Sequence, residues 1–559
     1  MLATRPQANF PFLSRMEAPL LALSPKDAWR VRDSFESVQI FGSVGSGKTS
    51  GSGRAVAHSY LKAGYGGLVC CAMPSERALW ERYAAECGRS NSVIVFDGSG
   101  DRRINFLDYE LARSDRDTGT TFNAVRLLAH ILDVASGKSA ARTTENPFWR
   151  EAMGQLLTNT IMPLHAARDT ITLSSIMRMI NQRPRSLEQM RTPGWTDGSF
   201  WGRTMRRAWK RPRRPMPDPD YQAMHEWWTQ VFVEGNNRTS SDVITTVSAK
   251  LAPFLTGKMR EIFATDTNIA PELTHEGAII ILDFPIPTWD ETGILAQQVF
   301  KYLWQRSIER RQLDEMTRPC FLYADECQYF LSPHDPEYQA IARQKRASTV
   351  YITQNLPTYY DRIGAENPEA AADRLLGNFQ TKIFHTNSCV KTNQYAADLI
   401  GKAVVWRRNV SQGRNTGWTD STSTGETGGT STGTNRSRGN SSGDNRSWGR
   451  GWSGGQGGGM GWNSNNSYGT NTGENESSGV NSSANRGWST GRTTGTSGGD
   501  SETLGANETI DYQVQPSFFT TLRNGGDANG KQVDALLYQG GRVWLHSKST
   551  FLPCTFPQS

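Results

Sequence analysis

The chain has little that would staple or anchor it. Its seven cysteines (Cys70, Cys71, Cys87, Cys320, Cys327, Cys389 and Cys554) form no C-x-x-C pair and have no histidine cluster beside them. That excludes a disulfide framework and a zinc module, and fits reduced, partly buried thiols. No apolar run approaches the ~20 residues that span a bilayer; Leu20 to Leu23 is far too short. The opening Met1-Leu2-Ala3-Thr4-Arg5-Pro6 has no signal-peptide pattern. These absences predict a soluble, cytoplasmic protein that meets the inner face of a membrane only through a partner. An acidic surplus is missing too. Lys and Arg total 61 against 54 Asp and Glu, for a net charge of +7. A polyanionic partner suits that balance, and so does a plain solvated basic surface.

What is present begins at Gly42-Ser43-Val44-Gly45-Ser46-Gly47-Lys48-Thr49, a complete G-x-x-x-x-G-K-[ST] loop. Ser37 to Phe41 before it reads as a buried strand, and Arg54 to Ala63 after it as a helix, which is the setting the motif requires. Glycines let backbone N–H groups converge on phosphate oxygens, and the helix N-terminus adds a favourable dipole. Lys48 is expected to reach the β- and γ-phosphates, Thr49 to ligate Mg²⁺, and Gly42 through Ser50 to cradle the nucleotide. ATP and Mg²⁺ are the expected cofactors.

At 559 residues, two or three domains are expected. Residues 1–30 are Pro-rich and read as an irregular arm. A β/α pattern follows over 31–119, with strands at Gly67 to Ala72 and Val93 to Asp97, arguing for a parallel sheet covered on both faces. Residues 120–265 carry helical spacing only and read as an inserted all-α domain. Inside it, Arg203, Arg206, Arg207, Lys210, Arg211, Arg213 and Arg214 crowd around Trp201 and Trp209. Such a patch suits phosphate contacts and base stacking; a solvated loop stiffened by prolines fits it equally. The α/β pattern returns over 266–408. Residues 409–508 are almost entirely Gly, Ser, Thr and Asn, punctuated by Trp418, Trp448, Trp452, Trp462 and Trp488. They read as a disordered insertion, either an inert spacer or an arm that touches single-stranded nucleic acid or a partner. Residues 509–559 are expected to complete the sheet, with Val533 to Tyr538 and Arg542 to Leu545 forming a hairpin across Gly540-Gly541.

Hydrolysis also needs an acid to organise Mg²⁺ and a base to polarise water. Asp283 ends one apolar strand, but no second acid adjoins it. Asp325-Glu326 ends another and offers both carboxylates, Asp325 for the metal and Glu326 for the attacking water. Gln354 ends the next strand, where parallel sheets place ligands, and could sense the γ-phosphate. Arg343, with Lys345 and Arg346, precedes that strand; it reads either as a cation projected into a neighbouring subunit's site or as a basic helix end.

With these residues in place, the chain resembles the TraG/TraD-type coupling proteins of conjugation and type IV secretion, within the FtsK/HerA group. The resemblance runs through the phosphate loop, Arg102-Arg103-Ile104-Asn105-Phe106-Leu107, Asn146-Pro147-Phe148-Trp149, Ala324-Asp325-Glu326-Cys327-Gln328, Ile352-Thr353-Gln354-Asn355, Leu375 to Lys382, Tyr395 to Gly401, and Pro516 through Trp544. It implies a RecA-like α/β ATPase domain with an all-α insertion, six subunits around a DNA channel, and Lys48, Thr49, Asp325, Glu326 and Gln354 at the nucleotide. Arg343 falls on the family's trans-acting arginine. Two features depart from the family: no amino-terminal membrane helices, and the Gly/Ser/Asn-rich arm. The function expected is an ATP-driven DNA translocase of conjugative transfer or mobilisation, with a relaxase or type IV secretion components as partners. A soluble DNA motor in phage defence, processing or packaging shares this chemistry. A docking platform switched by ATP is the reading from a different class.

Overall fold

The computed structural model describes residues 11–113, 120–135, 147–168, 170–233, 237–363, 367–423, 432–449, 465–482 and 491–558. Asn146, Trp452, Trp462 and Trp488, named above, lie outside the described residues. The chain forms two units, residues 1–392 with 521–559, and residues 393–520.

The first unit opens with a small hairpin, β1 (Pro19–Ala22) and β2 (Ala28–Arg30). The described part of the arm is therefore ordered, contrary to the irregular segment expected from its prolines. Trp29 explains why: it is buried in the main core and stacks on Tyr60 at 6.1 Å.

A nine-stranded sheet follows, built from β3 (Val38–Phe41), β4 (Gly66–Cys70), β5 (Val93–Asp97), β6 (Ile279–Asp283), β7 (Cys320–Ala324), β8 (Ala347–Thr353), β9 (Thr381–Phe384), β14 (Gln532–Gln539) and β15 (Phe551–Pro557). Their order is β15-β14-β9-β3-β8-β7-β4-β6-β5. The strands from β9 to β5 are all parallel. Runs such as Ile279-Ile280-Ile281-Leu282 are buried on both faces, as central parallel strands must be. The order matters for function. It puts the carboxyl ends of β8 and β7 on one side of β3, and the carboxyl end of β9 with the amino end of the antiparallel β14 on the other.

β14 runs antiparallel to β9 and pairs with β15, Leu537 facing Leu552. The expected partner, Arg542 to Leu545, is instead the connection. Gly541 turns the chain at φ +71°, and the buried Trp544 carries the Arg542 guanidinium 3.8 Å above its ring. Arg542 bonds Asp33 at 2.6 Å, and Asp27 accepts the Leu545 and His546 N–H groups. These residues fasten the β1–β2 hairpin, so they are unavailable as a strand.

The helical insertion contains Thr120–Ala135, Pro147–Ala167, Leu173–Asn181, Phe200–Lys210, Asp218–Glu226 and Asn237–Leu251. Leu127, Ile131, Leu156, Ile161, Trp201 and Trp228 fill its interior. Asn105 ties down its roots. The side chain caps the Phe106–Leu111 helix and donates to the carbonyls of Ile171 (2.8 Å) and Thr265 (3.3 Å).

In the second unit, the described backbone of the Gly/Ser/Thr/Asn-rich insertion runs as four antiparallel strands. They are β10 (Lys402–Ser423), β11 (Thr432–Gly449), β12 (Asn465–Ser482) and β13 (Gly491–Tyr512), in the order β12-β11-β10-β13. Their sequence supplies almost no apolar residues for either face.

Candidate functional site

The phosphate loop hangs between β3 and the Arg54–Lys62 helix. Gly45 and Gly47 take φ +73° and +78°, left-handed values that a side chain resists. The first helical turn is wide: the Gly53 N–H reaches the Lys48 carbonyl at 2.8 Å, five residues back. Ser43 braces the loop against the end of β9 through its N–H to the Thr386 carbonyl (2.9 Å). Ser46 Oγ is buried inside the loop with no hydrogen-bond partner. A buried hydroxyl without a partner in such a loop is a polar group that a bound phosphate would satisfy.

Two strands away in the sheet, β7 delivers the acidic pair. Thr49 Oγ1 donates to Asp325 Oδ2 at 2.5 Å, and Lys48 Nζ lies 3.5 Å from Glu326 Oε1. Gln354, leaving β8 between them, points Nε2 at Glu326 Oε1 and Oε2 at 3.4 and 3.5 Å. Glu326 sits at φ +47°, ψ +45°, a left-handed conformation that costs a non-glycine residue on the order of 1 kcal/mol or more. Gln328 donates to its Oε2 at 2.8 Å, and its own N–H holds Asp325 Oδ1 at 2.9 Å. Burial pushes the Asp325 carboxyl above its usual range, while the Thr49 hydroxyl and the Lys48 ammonium pull it back.

The structure therefore brings together Lys48, Thr49, Asp325, Glu326 and Gln354. It does not bring Asp283 to them; that carboxylate pairs with Arg77 at 3.1 Å, beside Asp97. Arg343 is exposed at the opposite end of β8 from Gln354, with Glu36 at 3.4 Å. A group that acts in trans has to lie outside its own subunit's site, and Arg343 does. Lys345 and Arg346 are occupied locally, donating to the carbonyls of Arg311 (3.1 Å) and Thr317 (3.2 Å).

Sequence reasoning missed Glu76 and His385. Glu76 opens the Pro74–Glu86 helix after β4, which neighbours β7, and accepts the Ala72 N–H at 2.8 Å. Burial drives its carboxyl well up, and the Asp325 charge adds to that. His385, following β9, is fully buried. Its Nδ1–H meets the Asp534 carbonyl at 3.1 Å, which leaves Nε2 to accept the Ser52 hydroxyl at 2.6 Å. Burial pushes its pKa down to about 4. An acid just inside a helix after a strand, and a histidine ending a strand, were the available signals; neither means anything until strand order is known.

The basic stretch divides. Arg203, Arg206, Arg207 and Lys210 stand on the exposed face of the Phe200–Lys210 helix, continued by exposed Arg211 and Arg213. Arg206 pairs with Asp197, and Arg214 folds back onto the carbonyls of His165 (3.1 Å) and Arg168 (2.6 Å). Trp201 is buried against Trp228, so it belongs to the core and cannot stack on a base. Trp209 is 46% exposed and leans on Tyr221.

Residues 319–444 match the family model described as the TraM recognition site of TraD and TraG. That segment is similar to the TraG/TraD coupling proteins. No curated protein matches the chain in sequence. Among solved structures, this chain is similar to the bacterial conjugative coupling protein TrwBΔN70 in its unbound form, at 14% identity over 98% of this chain and 90% of that one, with a TM-score of 0.52. The plasmid coupling protein TrwB in complex with the ATP analogue ADPNP matches at 13% identity, over the same shares, with a TM-score of 0.51. TrwB in complex with ADP and Mg²⁺ gives the same identity, coverage and score. At such identities the likeness establishes the fold alone, the RecA-like fold of TrwB with a mostly parallel sheet and helices.

Proposed function

We propose that this chain is a coupling ATPase of conjugative transfer, one that hydrolyses ATP to move DNA. The observation that carries the reading is the meeting of Lys48 and Thr49 with Asp325 and Glu326. The residues present fit a magnesium nucleotide. The loop offers backbone donors and an unpartnered buried Ser46 hydroxyl. The Thr49–Asp325 contact joins the two oxygens that would hold Mg²⁺. Bound there, the ion would neutralise charge on the β- and γ-phosphates. Lys48 would bind the terminal phosphates. Glu326, fixed by Gln328 and the left-handed backbone, would orient the attacking water and accept its proton. Gln354, within reach of Glu326, would register the γ-phosphate.

Further parts of the reading are homo-hexamerisation, with Arg343 reaching the next subunit's nucleotide, and DNA contact through the arginine-rich helix. Residues 319–444 would dock a TraM-like partner, and a relaxase could be recruited alongside. We place the protein in the cytoplasm, at the inner face of the membrane through a partner; among the described residues no helix is long and apolar enough to cross a membrane. The likeness to TrwB, a plasmid coupling protein solved in complex with an ATP analogue and with ADP and Mg²⁺, supports the conjugative setting over other DNA motors. The test is ATP turnover by the intact chain with and without DNA across a salt series. Turnover stimulated by DNA and falling steeply with salt is expected. Vigorous turnover indifferent to DNA in an assembled ring would count against the motor.

A further inference from the structure

Gln558 lies against the phosphate loop on the side away from the acidic pair. Its carboxamide is locked. The Gly526 N–H reaches Oε1 at 2.7 Å, which identifies that atom as the oxygen, because a backbone N–H can only donate. Nε2 then donates to Ser50 Oγ at 2.7 Å. The backbone around it is equally constrained, with the Gln558 N–H on the Lys531 carbonyl at 2.8 Å. The fit is close. A Cβ on Gly525 would fall 2.0 Å from Gln558 Oε1, and a Cβ on Gly47 would fall 2.5 Å from Val533 and 3.1 Å from Gln558 Nε2. The β14–β15 hairpin thus forms a wall pressed directly on the loop.

Sheet order gives this wall a direction. Thr49 turns toward β7 and the acids, which marks the γ-phosphate end. Ser50, the next residue in the wide turn, faces away from the acids instead, toward Gln558 at the end of β15. A triphosphate laid along the loop with its γ end at Glu326 therefore carries its sugar and base toward Gln558. Of the two N–H groups on Nε2, one is committed to Ser50, which leaves the other as a donor. We propose that Gln558 is a binding residue for the sugar–base end of the nucleotide, so that the β14–β15 hairpin distinguishes a nucleoside triphosphate from bare polyphosphate. This rests on the nucleotide reading above.

The test compares equilibrium binding of ATP and of inorganic tripolyphosphate to the intact chain and to Gln558→Ala, Gln558→Glu and Lys48→Ala. Losing one neutral hydrogen bond should weaken ATP about 3- to 10-fold in Gln558→Ala. Gln558→Glu keeps the Gly526 bond but loses the donor, and should weaken ATP at least as much. Tripolyphosphate binding should stay unchanged in Gln558→Ala and fall less than ATP binding in Gln558→Glu, where the new charge also repels the phosphates, whereas Lys48→Ala should weaken both ligands. ATP affinity unaffected by either Gln558 variant, with Lys48→Ala still impaired, would overturn this inference and leave the nucleotide reading standing. Equal losses for ATP and tripolyphosphate would also overturn it, since Gln558 would then only hold the loop. Failure of the intact chain to bind ATP would overturn the nucleotide reading and this inference with it.

Discussion

Thr49 and Asp325, 276 positions apart in the chain, share a hydrogen bond of 2.5 Å. A threonine hydroxyl and an aspartate carboxylate at that range, beside a phosphate loop, would serve as two ligands of one hard cation. Thr49→Ala and Asp325→Asn should each shift the Mg²⁺ concentration for half-maximal ATP turnover upward, by about tenfold or more, while metal-free nucleotide binding changes little. A magnesium titration of turnover checks this. Because burial raises the Asp325 carboxyl, protons compete with the metal at higher pH than for an ordinary aspartate, so the Mg²⁺ requirement should rise as pH falls.

His385 makes a stability prediction. Its pKa is about 4 in the folded protein and about 6.5 when unfolded. Between those values the unfolded chain takes up a proton that the folded chain refuses. Stability is therefore unaffected above about pH 6.5 and declines as pH falls toward 4. From pH 7 to pH 5 this group alone should cost about 2 kcal/mol. His385→Gln should be less stable at pH 7 but lose less on acidification, as read from urea unfolding at the two pH values.

Lys301 and Asp335 form a fully buried ion pair, with Nζ 2.7 Å from each carboxylate oxygen. Lys301→Met strands a charged carboxylate in the core beside β8, and should cost about 3–5 kcal/mol. Lys301→Met with Asp335→Leu should recover part of that. Recovery stays incomplete, because the Ser332 N–H and Gln305 Nε2 also lose their acceptor. Thermal unfolding of the single and double variants measures the difference.

On the arginine-rich helix, Arg207 and Lys210 face outward. If they contact DNA phosphates, Arg207→Ala with Lys210→Ala should flatten the slope of log affinity against log salt by about 0.9 per lost contact on duplex DNA. An unchanged slope would return this face to the solvated reading.

The loop and the acidic doublet were legible because their chemistry is local. Gly45, Gly47, Lys48 and Thr49 are fixed by spacing, and Asp325-Glu326 by its position after an apolar strand. Glu76 and His385 were not legible, because their roles arise from β4 lying beside β7 and β9 beside β3, and nothing in a single sequence states strand order. The hairpin partner was misread because Gly540-Gly541 has the look of a tight turn; the chain instead carries Trp544 into the core and pairs later, at Phe551–Pro557. Trp201 was credited with stacking on bases because arginines surround it in sequence, whereas helical periodicity turns it inward and the arginines outward.

The most direct test of the central claim measures ATP binding and ATP turnover in the same preparations of the intact chain, Lys48→Ala and Glu326→Gln, at fixed Mg²⁺. If one magnesium–nucleotide is held between the loop and the acidic pair, the intact chain binds and turns over, and Lys48→Ala loses both. Glu326→Gln should then bind normally while turnover falls about 10²- to 10⁴-fold. Undiminished turnover in Glu326→Gln, or undiminished binding in Lys48→Ala, would contradict the account.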